Sequence, residues 1–338
     1  MSDDLIFNVV SSLVKIVLFT HIGLVLAAFM PLVERKVSAW IQDRVGPNRV
    51  GYAGILQPIA DSLKFFFKED LTPGHVDKVL FTLAPALAVI PSLLVLAVVP
   101  FAPPVEVLGR EVQMVIADLD VGILFVFALS SLAVYGITFA GWASNSKYPL
   151  MGGVRSSAQM ISYELCLGLC VVGVFMESET LRLTDVVLQQ QGNLFNWNIF
   201  SQPIGFFIFV IAAFAETNRL PFDLPEAETE LVAGYHTEYS SMKFALFFIG
   251  EYCAMIVMSC MTVTLFLGGF SIPFWSDAPW PAQLACFLLK VTFFMFLFIW
   301  VRWSLPRFRY DQLMDLGWKV FLPLALVNIL LTGMAVSL

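Results

Sequence analysis

Charged residues are scarce in this sequence. Asp, Glu, Lys and Arg make up only 13% of its 338 residues, whereas 59% are apolar. Such a composition excludes an ordinary soluble domain. The few basic residues form no cluster on a soluble face, so the net charge of −7 gives no reason to expect a nucleic-acid partner.

Residue patterns that hold metals or redox cofactors are also missing. The three His are isolated from one another, and the five Cys lie in apolar runs without a CxxC pair. HExxH, GxGxxG and P-loop patterns are absent. Cys166 and Cys170 are one helical turn apart, which is more typical of packing than of a metal site. We therefore expect no metal site, and no flavin, nicotinamide, iron–sulfur cluster or nucleotide bound by this chain alone.

Long apolar runs recur along the whole chain instead. Each is near the roughly 20 residues that a helix needs to cross the hydrocarbon of a bilayer. We predict an all-α polytopic membrane protein, one integral domain over 1–338, with about eight transmembrane helices. The predicted spans are 5–31, 79–101, 119–141, 156–177, 203–220, 243–269, 283–303 and 318–336. The first run lacks a basic leader and a small-residue cleavage site, so no cleavable signal is predicted.

Lysine and arginine determine the predicted orientation. Fifteen of the 19 lie in the loops after the first, third, fifth and seventh spans, and only Arg110 and Arg182 lie in the opposite loops. Because basic loops stay on the cytoplasmic side, we predict these odd loops to be cytoplasmic and both termini periplasmic. The sequence leaves open the equivalent orientation in a mitochondrial inner membrane.

The loop after the first span contains a predicted amphipathic helix at about 54–69. Leu56, Ile59 and Leu63 recur at helical spacing and are opposed by Asp61 and Lys64. This pattern is typical of a helix lying at the membrane interface. It fits either a surface anchor or one wall of a site that opens to lipid.

An acidic loop at about 216–243 is the most unusual stretch of the chain. Its acids are Glu216, Asp223, Glu226, Glu228, Glu230 and Glu238, and its only bases are Arg219 and Lys243. Acids this dense beside membrane-length apolar runs indicate function. Asp223 and Glu226 also fit the start of a helix, so capping remains an alternative for these two. Glu226 and Glu230 share a helix face and repel, so we expect a compensating positive charge or a shared proton.

Three carboxylates lie within predicted spans. Glu164, Glu216 and Glu251 belong to the fourth, fifth and sixth spans. A carboxyl group buried in apolar surroundings exchanges protons nearer to neutral pH than one in water. Together with the acidic loop, these residues form a possible line of proton sites into the membrane. Lys290, in the seventh span, is either a partner for a buried acid or a side chain that reaches the interface.

Five strings in the sequence carry a family resemblance. They are ERKVSAWIQDRVGPNRVG (34–51), QPIADSLKFFFKED (57–70), GWASNSKYPLMGGVRSSAQMISYE (141–164), AETNRLPFDLPEAETELVAGYHTEYSSMKFALFFIGEY (215–252) and RWSLPRFRYDQLMDLGWK (302–319). Together they resemble the quinone-site membrane subunit of respiratory complex I, the proton-pumping NADH:quinone oxidoreductase. Departures such as Leu220 and Pro149 remove no charged position.

The resemblance implies roles for particular positions. The amphipathic helix and spans one, six and seven would frame an entrance for the quinone tail. The residues implied for the entrance and quinone binding are Glu34, Arg35, Asp61, Phe248 and Arg302. Those implied for the proton relay are Asp223, Glu226, Glu228, Glu230, Glu164, Glu216 and Glu251, with supporting charge from Arg155, Arg219 and Lys290.

The resemblance also implies an enzyme subunit that carries no catalytic residue for electron transfer. Ubiquinone would be the substrate, and NADH, FMN and iron–sulfur clusters would belong to partner subunits. The implied partners are the peripheral-arm quinone-site and iron–sulfur subunits, antiporter-like membrane subunits and membrane lipid. A bacterial cell inner membrane is the expected location.

Three other functions fit parts of the sequence. One is the equivalent subunit of a membrane-bound hydrogenase, although the strings VGPNRVG and PFDLPEAETELVAGYHTEYS favour the quinone enzyme. Another is a stand-alone proton-coupled transporter, but the two halves show no matching polar interruptions of the kind that inverted repeats produce. A purely structural anchor would leave Glu164 and Glu251 unexplained.

Overall fold

The computed structural model describes residues 3–107, 109–224, 232–275 and 278–337. The α-helices are α1 (Asp3–Ile41), α2 (Gln57–Phe67), α3 (Lys78–Val95), α4 (Gly122–Ala143), α5 (Lys147–Ser178), α6 (Leu183–Gln189), α7 (Asn198–Ser201), α8 (Pro203–Glu216), α9 (Ser241–Phe266), α10 (Trp280–Ser304), α11 (Tyr310–Asp315) and α12 (Leu322–Ser337). A π-helical segment, Leu316–Phe321, joins the last two. One antiparallel hairpin pairs β1 (Val105–Val107) with β2 (Arg110–Val112). The predicted all-α class is confirmed.

Seven helical segments in the described ranges are long and apolar enough to cross a membrane. They are Ile6–Ile41, Lys78–Val98, Gly122–Ala143, Lys147–Ser178, Ser241–Phe266, Trp280–Ser304 and Tyr310–Ser337. The remaining apolar helix, α8, has only 14 residues. At 1.5 Å per residue it is about 21 Å long, which is less than the ~30 Å hydrocarbon core.

The predicted span 203–220 is too long at its C-terminal end, because α8 stops at Glu216. The hydroxyl of Thr217 donates to the carbonyls of Ala213 and Phe214, at 3.0 and 3.2 Å. Asn218 then adopts a left-handed backbone conformation, with φ of 49°. A residue in this conformation does not continue a right-handed helix.

Two other helices are longer than predicted. α1 continues through Pro31 to Ile41, ten residues beyond the predicted end at 31. α5 begins at Lys147 rather than at 156. Gly152 and Gly153 therefore lie inside a helix and are positions of close approach: a Cβ atom on Gly152 would be 2.8 Å from the backbone of Gly234.

α5 is the central helix of the bundle. It packs against α4, α8 and α12, while α3 packs against α4 and α9. α1 packs against α9 and α10, and α2 lies across α1 and α9. The predicted amphipathic helix thus corresponds to α2, with Phe66 and Phe67 exposed. This arrangement brings Glu164 of α5 close to Glu216 at the end of α8.

Candidate functional site

A cavity of about 570 Å³ lies between α1, α2, α9 and α10. Most of its wall is apolar, with Leu32, Phe65, Ala245 and Phe248 among the lining side chains. Its five charged lining residues are Glu34, Arg35, Asp61, Lys64 and Arg302. The volume is within the range of small-molecule sites, which combine apolar walls with a few polar groups. All five residues predicted for a quinone entrance therefore line one cavity.

The rim of this cavity is fixed by contacts between α1 and α2. Arg35 Nη1 lies 3.0 Å from Asp61 Oδ2, and Gln57 donates to Asp61 Oδ1 at 3.1 Å. The helical continuation of α1 beyond Pro31 makes this possible, because it carries Arg35 to the level of α2. The Arg35 side chain is half exposed, so the pair adds little to stability. The pair instead fixes where α2 lies relative to α1 at the rim of the cavity.

A group of paired charges, buried at its centre and partly exposed at Arg302 and Arg307, closes the inner end of the cavity. We call it the arginine cluster, and its members are Glu34, Asp223, Glu251, Tyr252, Arg219, Arg302 and Arg307. Arg219 Nη1 lies 3.1 and 3.0 Å from the two oxygens of Glu34, and its Nε lies 2.5 Å from Glu251 Oε1. Arg302 also pairs with Glu34. The Tyr252 hydroxyl donates to Glu34 at 2.7 Å, and the Arg219 guanidinium lies 4.5 Å from the centre of the Tyr252 ring.

Asp223 and Arg307 complete the arginine cluster from the loops. Arg307 Nη2 lies 3.1 Å from Asp223 Oδ2. Burial raises the pKa of Asp223 above its ordinary value, although the neighbouring Arg307 and Arg302 act in the opposite direction. A second cavity of about 20 Å³ lies beside these groups and shares Phe248, Tyr252 and Arg302 with the large one. It has room for about one water molecule.

The arginine cluster balances three carboxylates against three guanidinium groups. Glu34, Arg219 and Glu251 are buried or nearly so. Removing one charge from such a group is costly, because it leaves its partner buried and uncompensated. Pairing of this kind therefore offsets part of the cost of burying charges in a largely apolar bundle.

A second polar group, the acid pair Glu164 and Glu216, lies between α4, α5 and α8. Glu216 is 4% exposed, and its Oε2 atom has no hydrogen-bond partner among the described residues. Glu164 accepts hydrogen bonds from Ser130, at 3.3 Å, and from Ser131. The two carboxyl groups are near enough for their charges to interact. No Lys or Arg in the described ranges forms an ion pair with either carboxyl group. A proton gained or lost by one of them therefore changes a local charge that no basic side chain balances.

Some predicted site residues lie elsewhere or outside the described ranges. Glu226, Glu228 and Glu230 are outside them. Arg155 lies on α5, where its guanidinium is 5.6 Å from the centre of the Tyr310 ring.

Lys290 forms no ion pair with a buried acid among the described residues. Its Nζ donates to the carbonyls of Leu267, Gly269 and Ser271, at 2.8, 2.9 and 2.8 Å, beyond the C-terminal end of α9. The ammonium also lies 4.5 Å from the centre of the Trp197 ring. Carbonyls at a helix end accept such bonds readily, because the helix leaves them without internal partners. Glu251 is about four turns away along α9.

Lys290→Met should destabilise the protein without changing its chemistry. It removes three charge-assisted hydrogen bonds, each worth about 1.5–3 kcal/mol at most. We expect an unfolding midpoint several degrees lower and an activity per folded molecule within twofold of the parent. Thermal denaturation of the purified assembly measures the first, and an activity assay below the transition measures the second. A loss of activity at full stability would contradict this structural role.

Two members of the arginine cluster were not predicted as site residues. Tyr252 directly follows Glu251, and its hydroxyl reaches Glu34 only because α1 and α9 pack together. Arg307 belongs to a basic run, and from the sequence this run fits lipid anchoring as well as it fits a site role. The loop after α10 folds back instead, with the Phe308 amide donating to Pro221 O at 3.1 Å and its ring stacked on Phe222. Phe308, next to Arg307 in the sequence, was the feature that could have indicated that this loop packs against the protein.

Comparison with known proteins identifies the family. The family model described as NADH dehydrogenase matches residues 14–333. The chain belongs to the NADH dehydrogenase family. The match confirms the resemblance noted from the five strings. The matched residues include those of the cavity, the arginine cluster and the acid pair.

Curated members of this family are similar over nearly their whole length, and the three that follow are all named as NADH-quinone oxidoreductase subunits. The one from Geobacter metallireducens is 54% identical over 321 residues, which is 95% of each chain. The one from Thermomicrobium roseum is 51% identical over 333 residues, 96% of each chain. The one from Cytophaga hutchinsonii is 46% identical over 323 residues, 94% of each chain. These relatives support neither the hydrogenase alternative nor the transporter alternative.

Proposed function

We propose that this chain is the membrane subunit of a proton-translocating NADH:quinone oxidoreductase and forms the membrane part of its ubiquinone chamber. The observation that carries the proposal is the 570 Å³ cavity between α1, α2, α9 and α10, which has apolar walls and ends at the arginine cluster. An apolar tail with a polar headgroup suits such a site. Membership of the NADH dehydrogenase family supports the same function.

The tail of the quinone would lie against the apolar wall of the cavity. Phe248 and Ala245 of α9 and Phe65 of α2 supply this surface. Arg35 and Asp61 tie α2 to α1 at the rim and thereby hold the entrance. The headgroup would be held mainly by partner subunits.

Electron transfer would take place in those partners. NADH, FMN and iron–sulfur clusters belong to the peripheral-arm subunits in this proposal, and this chain contributes binding, charge and proton sites. Antiporter-like membrane subunits and lipid would contact its membrane faces. The proposed location is a bacterial inner membrane, with the odd loops cytoplasmic and both termini periplasmic.

Coupling to proton movement would proceed through the two polar groups. Arg302 and Tyr252 border both cavities, so a change of charge in the chamber acts directly on Glu34 and Glu251. The acid pair Glu164 and Glu216 would then take up or release a proton in response. Asp223, Glu226, Glu228 and Glu230 are proposed to supply the earlier sites of this relay, with Arg155 and Arg219 as supporting charges.

Ala245→Phe tests the cavity directly. Ala245 is buried and faces the cavity, so a phenyl ring there fills part of the space for the tail. We expect the KM for a long-tailed ubiquinone to rise roughly tenfold, the equivalent of about 1.4 kcal/mol of binding. Steady-state NADH:ubiquinone reductase assays on the assembled enzyme measure this.

The matched control is Ala335→Phe, because Ala335 lies on the exposed side of α12. It should leave the KM within twofold. NADH oxidation by ferricyanide should be unaffected in both variants, since it bypasses the quinone. An unchanged KM in Ala245→Phe would remove this cavity from the quinone path.

The assembly itself is tested by purification of a tagged copy in mild detergent. We expect a large complex with inhibitor-sensitive NADH:ubiquinone reductase activity. A chain that purifies alone and monodisperse, without that activity, would overturn the proposed function.

A further inference from the structure

Arg219, the most buried arginine of the arginine cluster, comes from a tight turn after α8. Residues 217–224 leave the helix, and the Arg219 amide donates back to Phe214 O at 3.1 Å. The Phe222 amide donates to Arg219 O at 2.8 Å. Arg219 is only 3% exposed and contacts both Glu34 and Glu251. The position of this turn therefore sets the distance between one guanidinium and two carboxylates.

Gln159 of α5 holds this turn from behind. It is completely buried, and its Nε2 donates to Ala215 O at 2.8 Å, Phe222 O at 2.9 Å and Asn218 Oδ1 at 3.2 Å. The two backbone carbonyls can only accept, so the amide nitrogen must face them. The two N–H bonds of this amide are thus shared among three acceptors, which lie before, within and after the stretch that contains Arg219.

Gln159 does not line the large cavity or the small one. Its hydrogen bonds go to Ala215, Asn218 and Phe222 and not to the carboxylates that Arg219 pairs with, so its influence on those carboxylates is indirect. Displacement of a positioned group by about 1 Å can lower a rate as much as 100-fold. A paired guanidinium tolerates less displacement than a flexible surface charge, because its donors are fixed in a plane.

We infer that Gln159 is a positioning residue for quinone reduction, acting through the turn that places Arg219 between Glu34 and Glu251. The inference rests on the proposed function. Loss of the amide leaves the walls of the quinone cavity unchanged and loosens the arginine. The effect is therefore on kcat and not on the KM for ubiquinone.

Gln159→Met in the assembled enzyme tests this, because methionine has a similar shape and no donor. We expect kcat for ubiquinone reduction to fall roughly 10- to 100-fold. The KM should change less than twofold, and NADH:ferricyanide activity per complex should stay at the parent value. Gln159→Asn keeps a buried amide but is one methylene shorter. It should show a smaller fall in kcat, and it decides the question if the Met variant does not assemble.

Gln190 provides the matched control. It is also buried, and its Nε2 donates to Val186 O and Thr264 O. Its Oε1 accepts from the amides of Asn198 and Gly268. Thr264 lies more than three turns along α9 from Glu251, the carboxylate that Arg219 contacts. Gln190→Met should lower stability and leave kcat within twofold. A kcat within twofold of the parent in the Gln159 variants, or an equal fall in Gln190→Met, overturns the positioning role. A parent assembly without ubiquinone reductase activity would overturn the proposed function instead.

Discussion

Arg219→Met should abolish ubiquinone reduction and lower the amount of assembled enzyme. Among the described residues, Arg219 forms ion pairs with both Glu34 and Glu251, at 3.0 and 2.5 Å. Its removal leaves two carboxylates in a buried site with only Arg302 close to Glu34. Breaking a buried pair from one side costs about 3–5 kcal/mol, which is a large part of the stability of a typical domain. We expect at least a 100-fold loss of NADH:ubiquinone reductase activity in membranes.

Two further variants separate charge from geometry at this position. Arg219→Lys keeps the charge but lacks the planar group that reaches two carboxylates, so assembly should recover while activity stays low. Combining Arg219→Met with Glu251→Gln removes one uncompensated charge and should restore part of the assembled enzyme. Native gel electrophoresis and NADH:ferricyanide activity measure assembly. Full quinone reductase activity in Arg219→Met would show that the arginine cluster has no part in the reaction.

Glu216→Gln should separate quinone reduction from assembly. Glu216 is buried at the end of α8, and its Oε2 has no hydrogen-bond partner in the described ranges, so an amide of equal size fits without losing a bond. The substitution removes a carboxyl group that is proposed to exchange protons. Positioned acid and base groups contribute roughly 10²-fold or more to rates. We expect a fall of that order in ubiquinone reductase and proton pumping, with NADH:ferricyanide activity unchanged.

Glu177→Gln is the control for this prediction. Glu177 is an exposed carboxylate near the far end of the same helix as Glu164. It should retain activity within twofold. Unchanged ubiquinone reductase rates in an assembled Glu216→Gln enzyme would remove Glu216 from the proton relay.

Much of the fold could be predicted because apolar length is a local property. The run of apolar residues in each span identified a helix, and the opposed faces of the segment at 54–69 identified α2. Helix ends were less predictable. α1 passes through Pro31 as packed helix, and α8 is ended by the Thr217 hydroxyl and the left-handed Asn218, four residues before the end of the predicted span at 220.

The sequence indicated most residues of the candidate site but not which of them form ion pairs with one another. Glu34 and Glu251 were assigned to separate tasks, the entrance and the relay, yet one arginine holds both. Their contact depends on the packing of α1 against α9, and on a turn that Gln159 fixes from α5. Such long-range contacts leave no periodic trace in the sequence. The contacts of Lys290 could not be predicted for the same reason, since the carbonyls that it binds are close to it only in space.

The equal number of acids and arginines in the arginine cluster determines how far its electric field extends. With all six groups ionised, the monopole vanishes, and the remaining multipole field decays more steeply with distance than that of a single charge. The arginine cluster then acts on its surroundings only at short range. One added proton restores a monopole, whose potential falls only as the inverse of distance and is weakly screened in an apolar bundle. In the proposed relay, a single protonation at the cavity would therefore act on Glu216 as a net charge.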